Sequence, residues 1–597
     1  MKQKNRNEIK IEDTWDLTYI FKSKEEFDNN LKLTKNLLPK ISEYKGKLLE
    51  SDKSLLSFLE LSDELERKLY KLYYYAHLSL DVDTTNTLSQ EMEGKVSNLL
   101  QEYSVLSSFV IPELLKSNYD VVLDYINKNS ELEKYRFNLE CIYRYQKHSL
   151  NEETEKLLST ISKSFIADDT FEALTDADMT FPNILVNGKK EELTESNYSI
   201  FIRSNNRNTR KNAFKTLLKT YGNYKNTLAK TFSGNVELLT SMAKIKNFNS
   251  SLEASLYADN IKPDVYNKLI DTVNNHLDVL YKYYDLKREM LNVPHLHLYD
   301  IYAPLVSENN NKYSFKEAKE IVLKALSVLG EDYIHNLQKA FDERWIDIYN
   351  NKGKRGGAYS SGFYDTKPYL LLNFEGKYDD VTTLAHELGH SMHTYYSCHN
   401  QPYNLSSYNI FVAEVASTVN ELLLVHYLIK NSKDKKEKLF LLNQLMELYK
   451  GTIYRQVMFA EFERDMHAAL ENGEILTNEY LSNNYYQLVK KYFGKNVVCD
   501  KEIQNEWMRV PHFYYNFYVY KYAIGLSCAT KIVDGILNNK KDALKNYLAF
   551  LKTGGSMHPA DELMVAGVSV FDEEVYLSAI KAFDSYIDSF REIYERK

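Results

Sequence analysis

Leu384-Ala385-His386-Glu387-Leu388-Gly389-His390 is the stretch whose reading decides this chain. Val381, Leu384, Leu388 and Met392 give it an apolar stripe of helical period. Asp379 and Asp380 stand where an N-cap and a negative first turn are expected. On a helix, histidines four residues apart share a face and lie about 6 Å apart along the axis, so both can reach one zinc ion at about 2 Å each. Glu387 directly follows the first histidine, where its carboxylate can take a proton from a water at the metal. The competing reading is a solvated helix face that carries two histidines by chance, and the surroundings speak against it.

Just upstream, Lys367-Pro368-Tyr369-Leu370-Leu371-Leu372-Asn373-Phe374 is short, apolar and opened by proline, and reads as an edge strand. A catalytic zinc needs three protein ligands and an open position. The best candidate for the third is Glu414, whose apolar flanks in Phe411-Val412-Ala413-Glu414-Val415-Ala416 turn it inward, where a carboxylate needs a partner. The pattern continues at helical spacing through Asn420, Glu421 and Leu422, so a second helix can pack on the first. The alternative for Glu414 is a core carboxylate paired with a lysine or arginine. His393 shares the face of His386 and His390 but lies about 10 Å from His386 along the axis, too far for one ion. It reads as a neutral, hydrogen-bonded neighbour of the site. His399 reads as a surface histidine, and His295 and His297 as core or surface residues.

The His386 to His390 motif, followed by Glu414 in a Phe-Val-Ala-Glu-Val-Ala-Ser context, resembles the thimet-oligopeptidase family of zinc peptidases, and within it the oligoendopeptidase F branch. Trp15-Asp16-Leu17, Arg355-Gly356-Gly357-Ala358-Tyr359 and Pro511-His512-Phe513-Tyr514-Tyr515-Asn516-Phe517-Tyr518 extend the likeness over essentially the whole chain. One departure from the wider pattern is Thr418, four residues after Glu414, where many relatives carry an aspartate that orients a histidine. The resemblance implies a mainly α fold: a large helical ellipsoid with a thermolysin-like zinc core, a small β-sheet beside the active site and a deep substrate channel. It also implies that His512 and nearby tyrosines stabilise the oxyanion. His512, Tyr515, Tyr518 and Tyr522 recur at three and four residues, which reads as one helix face. With 49 tyrosines in the chain, aromatic packing with a wet tip is the alternative for each.

Composition agrees with a large helical enzyme. The 597 residues hold 20 glycines and 10 prolines, few for this length, and 26% are charged. Net charge is −8 with no basic patch, so nucleic acid is not an expected partner. No run of 18 apolar residues exists, and the start from Met1 to Asn5 lacks an apolar leader core, so no membrane partner is expected. Cys141, Cys398, Cys499 and Cys528 have no paired spacing, which fits free thiols in a reducing cytoplasm.

Along the chain, successive amphipathic helices are expected near residues 20–165. A hairpin follows, with Phe181 to Val186 and Lys189 to Leu193 joined at Asn187-Gly188. A helical domain over 1–195 and a zinc metallopeptidase domain over 196–597 are the expected division. Gly356 and Gly357 suit a substrate-binding loop, and Tyr369, Leu371 and Asn373 would pair with the substrate backbone. A second glycine pair, Gly554-Gly555, has no assigned role at this stage.

These readings converge on a zinc endopeptidase of short, unfolded oligopeptides. One Zn2+ per chain is held by His386, His390 and Glu414, with Glu387 as the base and His512, Tyr515, Tyr518 and Tyr522 as candidate oxyanion donors. Oligomeric state is left open. A metallocarboxypeptidase or dipeptidyl carboxypeptidase with the same zinc chemistry would need a cation for the substrate C-terminus, and Arg355 or Lys367 could serve. A helical scaffold without activity has no use for an intact Glu387.

Overall fold

Sparse glycine and proline leave helical periodicity largely uninterrupted, and 71% of the residues are helical. The computed structural model describes residues 3–306 and 311–596. Met1 and Lys2, part of the stretch read for a leader, lie outside the described residues. Five helices carry the residues that matter below: α1 (Asp52–Asp81), α2 (Tyr378–Asn400), α3 (Ile410–Asn431), α4 (Gln456–Glu471) and α5 (Tyr520–Leu537).

Strands are short. β1 (Ile184–Val186) and β2 (Lys189–Glu191) form the expected hairpin, closed by Asn187 and Gly188, both at positive φ, as a two-residue turn requires. β3 (Leu296–His297) pairs in parallel with β7 (Val497–Val498). Between them in sequence, β4 (Ile346–Asp347), β5 (Tyr359–Ser361) and β6 (Tyr369–Leu371) form a three-stranded sheet in the order β4-β6-β5. This corrects the edge-strand reading. Pro368 does open β6, but Tyr369 and Leu371 are fully buried, and Leu370 and Leu371 are paired with β4 on one side and β5 on the other, so the strand lies at the centre of the sheet. The edges are β4 and β5.

The chain forms two compact units, each assembled from three segments: Met1–Ser149, Asn310–Tyr427 and Ile532–Val568 in one, Leu150–Asn309, Leu428–Lys531 and Ser569–Lys597 in the other. The division expected at 195/196 differs from this, because β6 belongs to the core of the N-terminal helices. Tyr369 and Leu371 join Leu55, Leu65, Leu69 and Leu72 of α1 in one apolar cluster. Trp15 meets Tyr369 edge to face at 5.9 Å, and the Tyr369 hydroxyl donates to Asp16 O at 2.7 Å. The histidine motif thus shares the first unit with residues 1–149, while the hairpin and His512 belong to the second.

In the first unit, Gly554 and Gly555 let two backbones touch. A Cβ on either would lie 2.3 Å from a carbonyl oxygen, of Leu405 and Ser407 respectively. All four cysteines are free. Helix α3 is long and apolar enough to cross a membrane by length and composition, yet 61% of its most apolar window is buried in the fold and it carries Glu414, Asn420 and Glu421.

Candidate metal centre

Helix α2 starts one turn earlier than the motif needs. Lys377 is the N-cap, and Asp380, at the third helical position, accepts from the Lys377 backbone N–H at 2.7 Å. Asp379 is therefore a first-turn acid and not the cap. The same helix presents His386 and His390 with ring centroids 5.0 Å apart. Helix α3 crosses α2 at Gly389, where an added Cβ would sit 2.5 Å from Ser417 Cα and 2.7 Å from Ala416 O. Glycine in the motif is thus a contact requirement, since any side chain would push the two helices apart. Asn420 fixes the crossing from the α3 side: its side-chain amide donates to Ala385 O at 3.2 Å and it accepts from the Tyr333 hydroxyl at 3.0 Å.

That crossing delivers Glu414. Its Oε2 lies 3.3 Å from His386 Nε2 and 3.5 Å from His390 Nε2, and the three donor atoms lie within 4.8 Å of one another. Tetrahedral ligands at about 2.1 Å from one zinc are spaced by roughly 3.4 Å, so the spacing and the two-imidazole, one-carboxylate donor set both suit that ion. Burial disfavours a charged His386, but Glu414 and Glu421 outweigh it and hold its pKa up at about 10. Both histidines in turn hold Glu414 far below the usual carboxylate range.

Glu421 is a residue the sequence reading left without a role. It approaches His386 Nδ1 at 3.4 Å, which leaves Nε2 facing His390 and Glu414. Thr418 cannot do this, and Glu421 replaces it from the next turn. The signal was present in the spacing: 414 and 421 are seven residues apart, on one face of α3.

Glu387 is 8% exposed. Burial raises its pKa, opposed by His386, His390 and the backbone N–H of Ser360. Ser360 belongs to β5, and its hydroxyl meets that of Ser391 on α2 at 2.8 Å. The edge strand is thereby pinned beside the carboxylate. The Asn373 amide is engaged within the fold: it donates to Arg355 O and Gly357 O and shapes the glycine turn. Gly356 and Gly357 are exposed, and Gly357 needs its positive φ of 81°.

His393 departs from expectation in one respect. It is fully buried and its pKa falls to about 3 by burial, so it is neutral. Neither ring nitrogen has a hydrogen-bond partner among the described residues, because the ring lies flat on Tyr408, with centroids 3.7 Å apart and planes at 4°. His297 bonds Asp500 at 3.1 Å, and His399 Nδ1 caps the Tyr395 carbonyl at 2.7 Å. Arg355 and Lys367, the cations a carboxypeptidase would enlist, are paired with Asp81 at 3.0 Å and Glu343 at 3.1 Å.

In the second unit, His512, Tyr515, Tyr518 and Tyr522 do not share a helix face. Residues Pro511–Tyr514 form a 3-10 turn, Asn516 and Phe517 take φ of 52° and 55°, and α5 begins at Tyr520. Two successive left-handed residues reverse the chain, and the rings still gather. The His512 ring lies 5.6 Å from Tyr515 and 6.1 Å from Tyr522, and Tyr518 lies 5.4 Å from Tyr522. Tyr515 is 48% exposed, so its hydroxyl is not buried in packing. The turn is held from outside. Glu463 on α4 accepts from Phe517 N–H at 2.6 Å, and Ser255 donates to Asn516 O at 2.8 Å. Burial lifts Glu463 to about 8, so it is neutral through most of the physiological range.

Comparison with known proteins settles the family. The model described as Peptidase family M3 matches residues 200–581, and one described as Oligopeptidase F matches residues 113–181. The chain belongs to peptidase family M3. It is similar to oligopeptidase PepF of Bacillus subtilis (strain 168), 43% identical over 99% of this chain and 88% of that one. Group B oligopeptidase PepB of Streptococcus agalactiae serotype III (strain NEM316) is 38% identical over 97% of each chain. Among solved structures, oligoendopeptidase-F from Enterococcus faecium superposes with a TM-score of 0.74 at 34% identity, over 96% of this M3 chain and 100% of that one. A structure from Chlamydophila abortus gives 0.94 at 36% identity, over 99% and 100%.

Proposed function

We propose that this M3 peptidase is a zinc-dependent endopeptidase that hydrolyses internal bonds of short, unfolded oligopeptides. One observation carries the reading: the three donor atoms of His386, His390 and Glu414 converge at zinc spacing with the Glu387 carboxylate beside them. When bound, zinc supplies Lewis acidity toward water and the scissile carbonyl oxygen. The protein's own residues do the rest. Glu387 accepts a proton from the attacking water at its carboxylate and passes it to the leaving amine nitrogen. Its partly desolvated setting raises its basicity for the first transfer and its readiness to hold the proton until the second. Glu421 fixes the His386 ring through Nδ1. The family resemblance gives His512, Tyr515, Tyr518 and Tyr522 the role of imidazole and hydroxyl donors for the developing oxyanion.

Of the two edge strands, β4 and β5, β5 is the one suited to an extended peptide, because its Ser360 adjoins Glu387. Main-chain pairing is indifferent to side chains, so residue preference around the bond is expected to be broad. The restriction to oligopeptides follows the resemblance and the relatives' names, and a cytoplasmic location agrees with four free thiols.

The test is cleavage of an end-blocked peptide of about ten residues, before and after chelation and with zinc restored, beside the same sequence inside a folded protein. Chelator-sensitive internal cleavage of the peptide alone is expected. Cleavage of free C-termini at one fixed distance would establish a carboxypeptidase instead.

A further inference from the structure

The second unit contains a cavity of about 200 Å3 that the peptidase chemistry does not use. Apolar side chains, among them Phe214, Leu298 and Phe493, form part of its wall, and its charged groups are Arg203, Arg455, Arg509 and Glu506. A smaller cavity shares Tyr302 and Arg455 with it and adds Lys450.

Charge does not balance around this space. Arg455 pairs with Glu506 at 2.9 Å, and Arg509 pairs with Glu195. Glu447 serves both Lys450 and the buried Lys287. Arg203, which is exposed, has no carboxylate partner among the described residues. Among the described residues these five cations are set against three carboxylates, and of the eight groups only Arg203, Arg455, Arg509, Lys450 and Glu506 line either cavity. Each of those carboxylates also accepts from a tyrosine hydroxyl: Glu506 from Tyr485 at 2.6 Å, Glu195 from Tyr221 at 3.2 Å, and Glu447 from Tyr283.

Donors remain unused as well. Arg455 meets Glu506 through Nη2, and among the described residues its other nitrogens bond nothing in the protein. Arg509 meets Glu195 through Nη2, and its buried Nε has no partner. A buried guanidinium N–H without an acceptor costs stability unless something else accepts from it. Guanidinium groups suit planar, two-oxygen acceptors, which they grip through paired N–H bonds. The apolar wall beside them favours a ligand with a hydrocarbon part over a bare inorganic ion.

We propose that this cavity binds a small carboxylate bearing an apolar group, with the carboxylate between Arg455 and Arg509, the apolar group against Phe214, Leu298 and Phe493, and Arg203 at the mouth. The site lies within one unit and makes no use of the metal centre, so it stands whether or not the catalytic reading holds.

Isothermal titration of the full zinc-loaded chain with sodium phenylacetate tests it, with sodium acetate and sodium phosphate as comparison probes at equal ionic strength. One site per chain with a Kd of about 0.1–1 mM is expected for phenylacetate, several-fold weaker binding for acetate, and no saturable heat for phosphate. Arg509→Gln should weaken phenylacetate binding about tenfold. Because that variant removes a buried ion pair and can fail to fold, Arg203→Ala at the exposed mouth gives an independent reading, with binding about threefold weaker. No saturable heat from phenylacetate up to about 10 mM overturns the proposal. So does saturable binding of phosphate without phenylacetate, or an unchanged phenylacetate affinity in either folded variant.

Discussion

The helix crossing that gathers His386, His390 and Glu414 and the turn that gathers His512, Tyr515, Tyr518 and Tyr522 solve the same problem by opposite means. At the crossing, period does the work. Four residues on α2 and seven on α3 fix which side chains meet, and one glycine fixes how close they come. At the turn, period fails. Two left-handed residues break the helix, and the geometry depends on Glu463 and Ser255, which are distant in sequence. Helices place a few atoms tightly from local information, whereas irregular chain needs partners from elsewhere to hold its strain.

The most severe way to break the crossing chemically, without disturbing its shape, is Glu387→Gln. Both imidazoles and the helix contact stay in place while the base disappears, so zinc content should remain about one per chain and cleavage should fall by about 10²–10⁴-fold or more. Elemental analysis and peptide turnover on the same sample decide it, and activity within about tenfold of the parent defeats the assignment.

Next in size are the groups that hold the ion. Glu414→Ala should strip zinc on dialysis, Glu421→Gln should weaken its retention by about 10–100-fold, and His393→Ala should leave it unchanged. Competition against a fluorescent chelator ranks the three. If His393→Ala loses metal while Glu414→Ala keeps it, the donor set is wrong.

Sequence carried the α2 half of the site. His386, Glu387 and His390 were readable because helical spacing sets them on one short stretch, Glu414 was readable only from its apolar flanks, since the contact at Gly389 that delivers it leaves no mark in the spacing, and the Asn187-Gly188 hairpin was readable because few residues tolerate that turn. β6 was misjudged because a proline-led apolar run looks the same at an edge and at a centre when its neighbour β4 contributes two residues. The tyrosine turn was misjudged because intervals of three and four in a tyrosine-rich chain fit a helix, and nothing local at Asn516-Phe517 announces a reversal that Glu463 enforces. Likewise a hydrogen bond was expected for His393, where stacking on Tyr408 took its place.

The turn's dependence on Glu463 gives a third, smaller effect. Its folded pKa, about 8, lies above the ordinary glutamate value, so the stability it contributes is complete below about pH 4.5 and is lost as pH rises toward 8. The parent should lose up to about 1.4 kcal/mol per pH unit in that window from this group. Glu463→Gln mimics the neutral acid and should flatten the slope while keeping activity, whereas Glu463→Ala should lower kcat with zinc retained. Melting curves at pH 5.5 and 8 compare the three chains. An identical slope in parent and Glu463→Gln excludes this role. Smallest of all is Asn516→Gly, expected to change stability by less than about 1 kcal/mol, because glycine adopts the same φ freely. Asn516→Val should cost more, and equal melting temperatures for the two would show that the turn is not strained.

Gly389 has a consequence beyond packing. With no atoms between α2 and Ser417, the gap between the helices is at its minimum, and that gap sets how far the Glu414 oxygen stands from both imidazoles. The missing side chain at 389 thus acts as a gauge for the spacing of the three candidate donors. Inserting one methyl at 389 would shift the carboxylate and leave the two histidines, which share a helix, at their mutual distance. The centre would then accept larger cations with less penalty, so a zinc–cadmium competition on Gly389→Ala should move toward cadmium. An unchanged zinc–cadmium preference in Gly389→Ala would show that the closeness of the two backbones does not set it.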